Sequence, residues 1–240
     1  MLKVVFFDAA GTLFEPREPV GDTYARIARD FGVRASGAEV NATFRRIFHG
    51  APGLAFGPGH SAVELRRLER QWWRGIVWRV FAEIGRFDDF DAYFNTLFAY
   101  FADPRHWLAD PQAMPLLSGL KAQGLQLGMV SNFDWRLYAI LDGLGLLTYF
   151  DSITISSEAG WAKPSAEIFR VALAKHAAIA AEALHIGDSL PLDIGGAQAA
   201  GIAAILLARD NHGETGAGAE IARVNSLAAI VPMMQKMAFP

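Results

Sequence analysis

Five short apolar runs punctuate the start and the second half of the chain: "KVVFF" (3–7), "LQLGMV" (125–130), "SITIS" (152–156), "ALHIG" (183–187) and "AAILLA" (203–208). Each is too short for a buried helix, and most are apolar at consecutive rather than alternate positions. That pattern predicts strands of a parallel sheet covered on both faces. Between them the apolar spacing lengthens to a helical period, as in "PSAEIFRVALAKH" (164–176), with Pro164 near the first turn. The expected fold class is therefore α/β, with strands and helices alternating.

Residues 15–109 break this rhythm. They hold no comparable strand-like run and read as four helical segments: "VGDTYARIARDFGV", "EVNATFRRIFHG", "SAVELRRLERQWWRGIVWRVFAEIG" and "FDAYFNTLFAYFA". The stretch "HGAPGLAFGPGH" (49–60), rich in Gly and Pro, is expected to be a loop. Thirteen of the 17 arginines lie in 15–109 and none of the five lysines does, a compositional shift that marks a separate module. We expect a helical domain over 15–109 inserted into an α/β core made of 1–14 and 110–240. Trp72, Trp73 and Trp78 are expected to pack its interior, as aromatics at helical spacing do. One of the adjacent Trp72–Trp73 pair must face elsewhere, because neighbours on a helix point about 100° apart.

Composition narrows the function classes. A net charge of −3 leaves no basic footprint for nucleic acid. The apolar runs fall short of the roughly 18–20 residues of a membrane span. No charged-then-apolar leader is seen, so a cytoplasmic protein is expected. The absence of cysteine excludes disulfides, thiolate metal sites and a cysteine nucleophile.

Four polar groups follow predicted strands or sit between them, where ligands bind in such sheets. They are Asp8 with Gly11 and Thr12; Ser131 with Asn132; Lys163 in "EAGWAKPS"; and Asp188 and Asp193 in "GDSLPLD". Each has an ordinary reading alone: a turn, a solvated helix entry at Lys163, an N-cap at Asp193. Together they fit phosphoryl transfer through a carboxylate. Asp8 is the candidate nucleophile. Asp188 and Asp193 are candidates to hold Mg²⁺ with Asp8 and a loop carbonyl, since Mg²⁺ prefers hard oxygen ligands. Lys163 supplies fixed positive charge, and Ser131 and the Gly11–Thr12 backbone supply donors to phosphoryl oxygens.

The motifs Asp8-Ala9-Ala10-Gly11-Thr12-Leu13, Val130-Ser131-Asn132, Lys163-Pro164 and Gly187-Asp188-Ser189 through Asp193 resemble those of the haloacid dehalogenase-like hydrolase superfamily. The resemblance covers nearly the whole chain, and the helical insert after the first motif looks like that family's first cap type. "EPVGDTYARIARDFG" and "QWWRGIVWRVF" are similar to one subfamily, named after a rhythmically expressed gene. The resemblance implies a three-layer Rossmann-like core, Mg²⁺, an aspartyl-phosphate intermediate and a mobile cap, but no particular substrate; the partner we expect is a small phosphorylated metabolite. It also implies catalytic roles for Asp8 and Lys163 and phosphate contacts from Ala9, Gly11, Thr12, Ser131, Asn132 and Lys163. Metal contacts are implied for Asp8, Asp188, Asp193 and the backbone carbonyl of Ala10.

Ala10 is the departure. The family's phosphatases carry a second aspartate there, which protonates the leaving oxygen and later activates water. General acid–base help of this kind is typically worth about 10²–10⁴ in rate. Three readings stay open: a slow or specialised phosphohydrolase for substrates with good leaving groups, such as acyl phosphates; a phosphate-ligand binder or interaction protein on the same scaffold; and a 2-haloacid dehalogenase, a class that shares the first motif but not the "GDSLPLD" pattern. Glu15 or Glu18 are candidate substitute bases, and Arg45, Arg46 and His49 are candidate contacts for an anionic substrate tail.

Overall fold

In chain order, β1 (Val4–Phe7) is followed by β2 (Phe14–Pro16) and four helices: α1 (Val20–Asp30), α2 (Gly37–His49), α3 (Ala62–Ile84) and α4 (Phe90–Tyr100). The chain then runs through β3 (Trp107–Ala109), α5 (Ala113–Ala122), β4 (Gln126–Ser131) and α6 (Arg136–Gly143). The last stretch holds β5 (Ser152–Ile155), α7 (Ser156–Ala159), α8 (Ala166–Lys175), β6 (Ala183–Gly187), α9 (Gly196–Ala199), β7 (Ala203–Leu207), β8 (Ala222–Val224) and α10 (Ile230–Lys236). This computed structural model describes residues 1–209 and 221–237. Residues 210–220 and 238–240, assigned to the core from the sequence, lie outside the described residues.

The sheet has the strand order β5-β4-β1-β6-β7-β8, and every pairing is parallel. All four residues of β1 are buried, which is why the strand reads as a continuous apolar run. Its side chains alternate between the two faces. Val5 and Phe7 join Leu127, Met129, Leu184 and Ile186 on one side, while Val4 and Phe6 join Val130, Ile168 and Phe169 on the other. From β1 the chain goes to β4 on one flank and later to β6 on the other, so β1 marks a topological switch point. The carboxyl ends of these three strands carry Asp8, Ser131 and Asp188.

All five strands expected from the sequence fall within a residue of their predicted bounds, with "SITIS" ending one residue early at Ile155 and "AAILLA" at Leu207. Three strands were not legible: β8 at the sheet edge, and the antiparallel pair β2–β3. That pair joins Phe14 to Ala109, Glu15 to Leu108 and Pro16 to Trp107, closing the base of the helical segment. Three residues are too few to display a period.

The helices α1–α4 enclose their own apolar cluster, with Tyr24, Ile76, Val80, Phe81, Tyr93 and Phe94 at its centre. Local signals start three of them. Ser36 accepts from the Glu39 N–H ahead of α2, Ser61 with Glu64 forms a capping box ahead of α3, and Asp89 accepts from the Ala92 N–H ahead of α4. The tryptophans correct one expectation. Trp78 is 54% exposed, leaning on Phe90, because it lies on the outer face of α3. Trp72 and Trp73 divide as their geometry requires. Trp72 Nε1 donates to the Pro52 carbonyl at 3.0 Å, whereas Trp73 Nε1 donates across to Asp134 Oδ2 at 2.6 Å. The Gly/Pro-rich stretch is a loop, and it docks on the α/β layer: Ser156 Oγ donates to the Leu54 carbonyl at 2.6 Å. Among the described residues, no helix is long and apolar enough to cross a membrane.

Candidate functional site

Asp8 is the first residue beyond β1, and its backbone N–H continues the ladder by donating to the Ile186 carbonyl at 2.9 Å. The strand therefore aims a carboxylate out of the sheet's end at a fixed height. Asp8 Oδ1 accepts from Lys163 Nζ at 2.5 Å and from Ser131 Oγ at 3.0 Å. Asp8 is 6% exposed and Lys163 4%, so Lys163 is no solvated helix-entry residue. Its ammonium lies between two carboxylates, reaching Asp193 Oδ1 at 2.6 Å.

Asp193 is held from three directions. Oδ1 also receives His185 Nε2–H at 2.9 Å, and Oδ2 receives the Ser189 N–H at 3.0 Å. It does not act as an N-cap: it sits within a π-helical turn, Leu190–Gly195, that Ser189 caps. Asp188 is exposed at the rim. Its Oδ1 accepts from Thr12 Oγ1 at 3.3 Å. One carboxylate oxygen from each of Asp8, Asp188 and Asp193 lies within 4.8 Å of the others.

Three carboxylates thus face a single ammonium, and the protonation equilibria record the imbalance. Although Asp188 is exposed as a residue, desolvation of its carboxyl beside the packed cluster, then the charges of Asp8 and Asp193, push it up to about 7. Burial likewise raises Asp8, with Lys163 pulling against it. For Asp193, burial opposes the charged form, but Lys163 and His185 outweigh it and hold the carboxyl below the usual range. Burial would lower Lys163, yet Asp193 and Asp8 keep it above the ordinary lysine value. The donor set is all oxygen, clustered and rich in negative charge, which fits a hard divalent cation.

The turn after Asp8 is shaped for close approach. Gly11 has φ +92°, and a Cβ there would meet Asp188 Oδ2 at 2.5 Å. Arg209 braces this turn by donating to the carbonyls of Gly11 and Thr12 and pairing with Asp110 at 2.6 Å. Gly11→Ala is expected to destabilise the protein by about 1–3 kcal/mol through the left-handed backbone alone, read as a lowered urea midpoint. A variant as stable as the parent would mean that the turn relaxes freely.

Asn132 clasps the loop that carries Lys163. Its amide donates to the Lys163 carbonyl at 2.9 Å and accepts from the Lys163 N–H at 2.7 Å, next to a cis Lys163–Pro164 bond. The remaining candidates stand apart. Glu18 is engaged by Arg26 and Thr23, and Glu15 is an exposed residue of β2. Arg46 pairs with Glu83 on an exposed helix face, and His49 Nδ1 lies 2.6 Å from the Arg45 carbonyl. Among the described residues, none of these bonds to the Asp8 cluster. His185, Asp110 and Arg209 were missed from the sequence. A His inside a strand and an Arg past another carry no local signal, since their partners are set by the sheet.

The family model for haloacid dehalogenase-like hydrolases matches residues 2–201. The chain is 35% identical over 213 residues to the mouse haloacid dehalogenase-like hydrolase domain-containing protein 3, a match covering 86% of this chain and 82% of that protein. It is 28% identical over 202 residues to the Rhythmically expressed gene 2 protein of Drosophila melanogaster, covering 80% and 77%. Among solved structures, the putative HAD-hydrolase YfnB from Bacillus subtilis, crystallised with magnesium, superposes with a TM-score of 0.74 at 20% identity, covering 97% and 98% of the two chains.

Proposed function

The chain belongs to the haloacid dehalogenase-like hydrolase family, and from that premise we propose that it is a Mg²⁺-dependent phosphohydrolase of small phosphorylated metabolites, with Asp8 as nucleophile. One observation carries the reading: Asp8, Lys163 and the Asp188–Asp193 pair come from three separate segments and converge at the carboxyl end of the sheet, with Lys163 Nζ 2.5 Å from Asp8. A pure binder of phosphate has no use for a carboxylate in that place, since it repels the ligand.

Asp8, Asp188 and the Ala10 carbonyl would hold Mg²⁺, whose contribution is to neutralise charge where a phosphate meets a carboxylate. Asp193, its oxygens already taken by Lys163, His185 and Ser189, serves mainly to fix the ammonium of Lys163. Ser131 Oγ and the turn Ala9–Thr12 orient the phosphoryl oxygens. Asn132 acts by holding the Lys163 loop in place. An Asp8 oxygen attacks phosphorus, the leaving oxygen departs, and water then cleaves the aspartyl-phosphate to release inorganic phosphate. With alanine at position 10, the side chain that would protonate the leaving oxygen in the family's phosphatases is missing from its usual place. Substrates whose leaving group departs as a stable anion, such as acyl or aryl phosphates, are therefore favoured. The helical segment 15–109 acts as the cap over this site and excludes water when closed.

The test is a substrate panel run with and without Mg²⁺. Turnover of acetyl phosphate and p-nitrophenyl phosphate is expected with metal and lost with EDTA, and 2-chloropropionate is expected to stay unchanged. Halide release from 2-chloropropionate without metal would replace this reading with dehalogenation. No turnover of any phosphate would replace it with the binder reading.

A further inference from the structure

The strand β6 is apolar but for one residue. His185 lies at its centre, fully buried, beside Phe6 of β1 and Ala204 of β7. The Phe169 ring meets its imidazole edge to face, with 5.0 Å between centres. A leucine or valine would fill such a place with no polar group to satisfy. An imidazole there costs free energy, and its Nδ1 has no hydrogen-bond partner among the described residues.

The other ring nitrogen is engaged. Nε2 lies 2.9 Å from Asp193 Oδ1, the same oxygen that Lys163 Nζ reaches at 2.6 Å. The hydrogen therefore sits on Nε2, where it meets an acceptor, and not on Nδ1, where a buried N–H would go unmatched. Lys163 Nζ in turn lies 2.5 Å from Asp8 Oδ1. One chain of contacts thus runs from the interior of the sheet to Asp8.

A second position on β6 is shaped for this contact. Gly187 follows His185 by two residues and shares its face of the strand. A Cβ at Gly187 would collide with the Asp193 carboxyl carbon, so the glycine lets that carboxylate seat against the end of the strand. There Oδ1 receives His185, and Oδ2 receives the Ser189 N–H at 3.0 Å. Each oxygen is thereby tied to a donor of fixed position. Without His185 only the Ser189 donor is fixed, and the carboxylate is free to turn about that bond and carry the Lys163 ammonium with it.

We propose that His185 is a positioning residue of this site: its Nε2–H fixes Asp193 Oδ1, and through it the ammonium of Lys163 against Asp8. The consequence for turnover rests on the phosphohydrolase reading; the alignment of Asp193 and Lys163 does not. Because His185 acts through Asp193 from inside the sheet, its loss falls on kcat and not on the Mg²⁺ requirement.

Two substitutions separate the donor from the packing. His185→Leu fills the space and removes the N–H, whereas His185→Gln keeps an N–H at a reach similar to that of Nε2. With acetyl phosphate, His185→Leu is expected to lower kcat about 10–100-fold, the scale on which losing an orienting partner acts. The Mg²⁺ concentration for half-maximal rate is expected to stay put, the melting temperature to hold or rise, and His185→Gln to recover most of the rate. An unchanged kcat in His185→Leu, an equal loss in both variants, or a shifted Mg²⁺ midpoint would overturn the proposal. So would a rate loss matched by a fall in melting temperature, which would assign His185 to packing alone. A second arm needs no turnover and uses metal-free ¹⁵N-labelled protein. The parent is expected to show a hydrogen on His185 Nε2 and a Lys163 ammonium signal slow to exchange with water, and His185→Leu to lose that ammonium signal. No hydrogen on Nε2, or an ammonium signal unchanged in His185→Leu, would overturn the proposal. Success in this arm without turnover of any phosphate by the parent would support the alignment and remove the phosphohydrolase reading.

Discussion

Asp8→Asn is expected to reduce Mg²⁺-dependent turnover of acetyl phosphate to below about 10⁻⁴ of the parent value, the scale on which loss of a nucleophile acts, while leaving the metal-free protein at least as stable as before. The two halves of this outcome have one cause. Asp8 belongs to a cluster of three carboxylates, two of which pair with the ammonium of Lys163. An amide has nearly the same shape, so it preserves packing while removing one negative charge from a group of like charges. Lys163 stays paired with Asp193 at 2.6 Å, so no buried cation is abandoned. The melting temperature without metal is therefore expected to hold or rise, and the gain from added Mg²⁺ to shrink. Residual metal-dependent turnover above about one per cent would remove Asp8 from the chemistry, because general acid–base or electrostatic groups alone contribute about 10²–10⁴. A large fall in melting temperature would show that the cluster is a structural ion network and not a site held ready for a cation.

How much of this was legible in the sequence depends on how local the signal was. The strands β1, β4, β6 and β7 announced themselves because burial on both faces forces a continuous apolar run, and the polar residue that ends each run then stands out. Asp8, Ser131 and Asp188 could be placed at one edge for that reason. What those residues touch was not legible. The three bonds that occupy Asp193 depend on a π-helical turn with no sequence mark, and His185 reads as one more position in an apolar strand. Arg209 reaches Gly11 across 198 residues of chain. The helical module was legible as helices, from period and caps, but not as a surface. Trp78 was expected inside and lies outside, and nothing in "QWWRGIVW" distinguishes the ring that meets Asp134 from the ring that meets Pro52. Arg136 carries no local mark in the sequence, yet it is buried against Asp134.

Ala10→Asp is expected to raise turnover of an alkyl phosphate such as glycerol phosphate by about 10² or more, the lower part of the range for a positioned acid–base group, and to change acetyl phosphate turnover far less. The difference follows from the leaving group. An alkoxide departs only if it is protonated as the bond to phosphorus breaks, whereas a carboxylate leaves unaided, so a new acid at position 10 acts on the first and not the second. The geometry admits the change. Ala10 is only partly buried, two residues past the nucleophile, on a turn that Gly11, the Ala10–Phe14 bridge and Arg209 hold in shape. The substitution also adds a fourth carboxylate to a cluster that already pushes Asp188 up to about 7. The metal-free variant is therefore expected to melt lower than the parent and to recover with Mg²⁺, a signature separate from rate. An equal increase on both substrates would mean that the new carboxylate acts through metal affinity and not as an acid. No increase on either, with the Mg²⁺-dependent recovery intact, would mean that a step other than leaving-group departure limits turnover and that Ala10 is not what restrains alkyl phosphate hydrolysis.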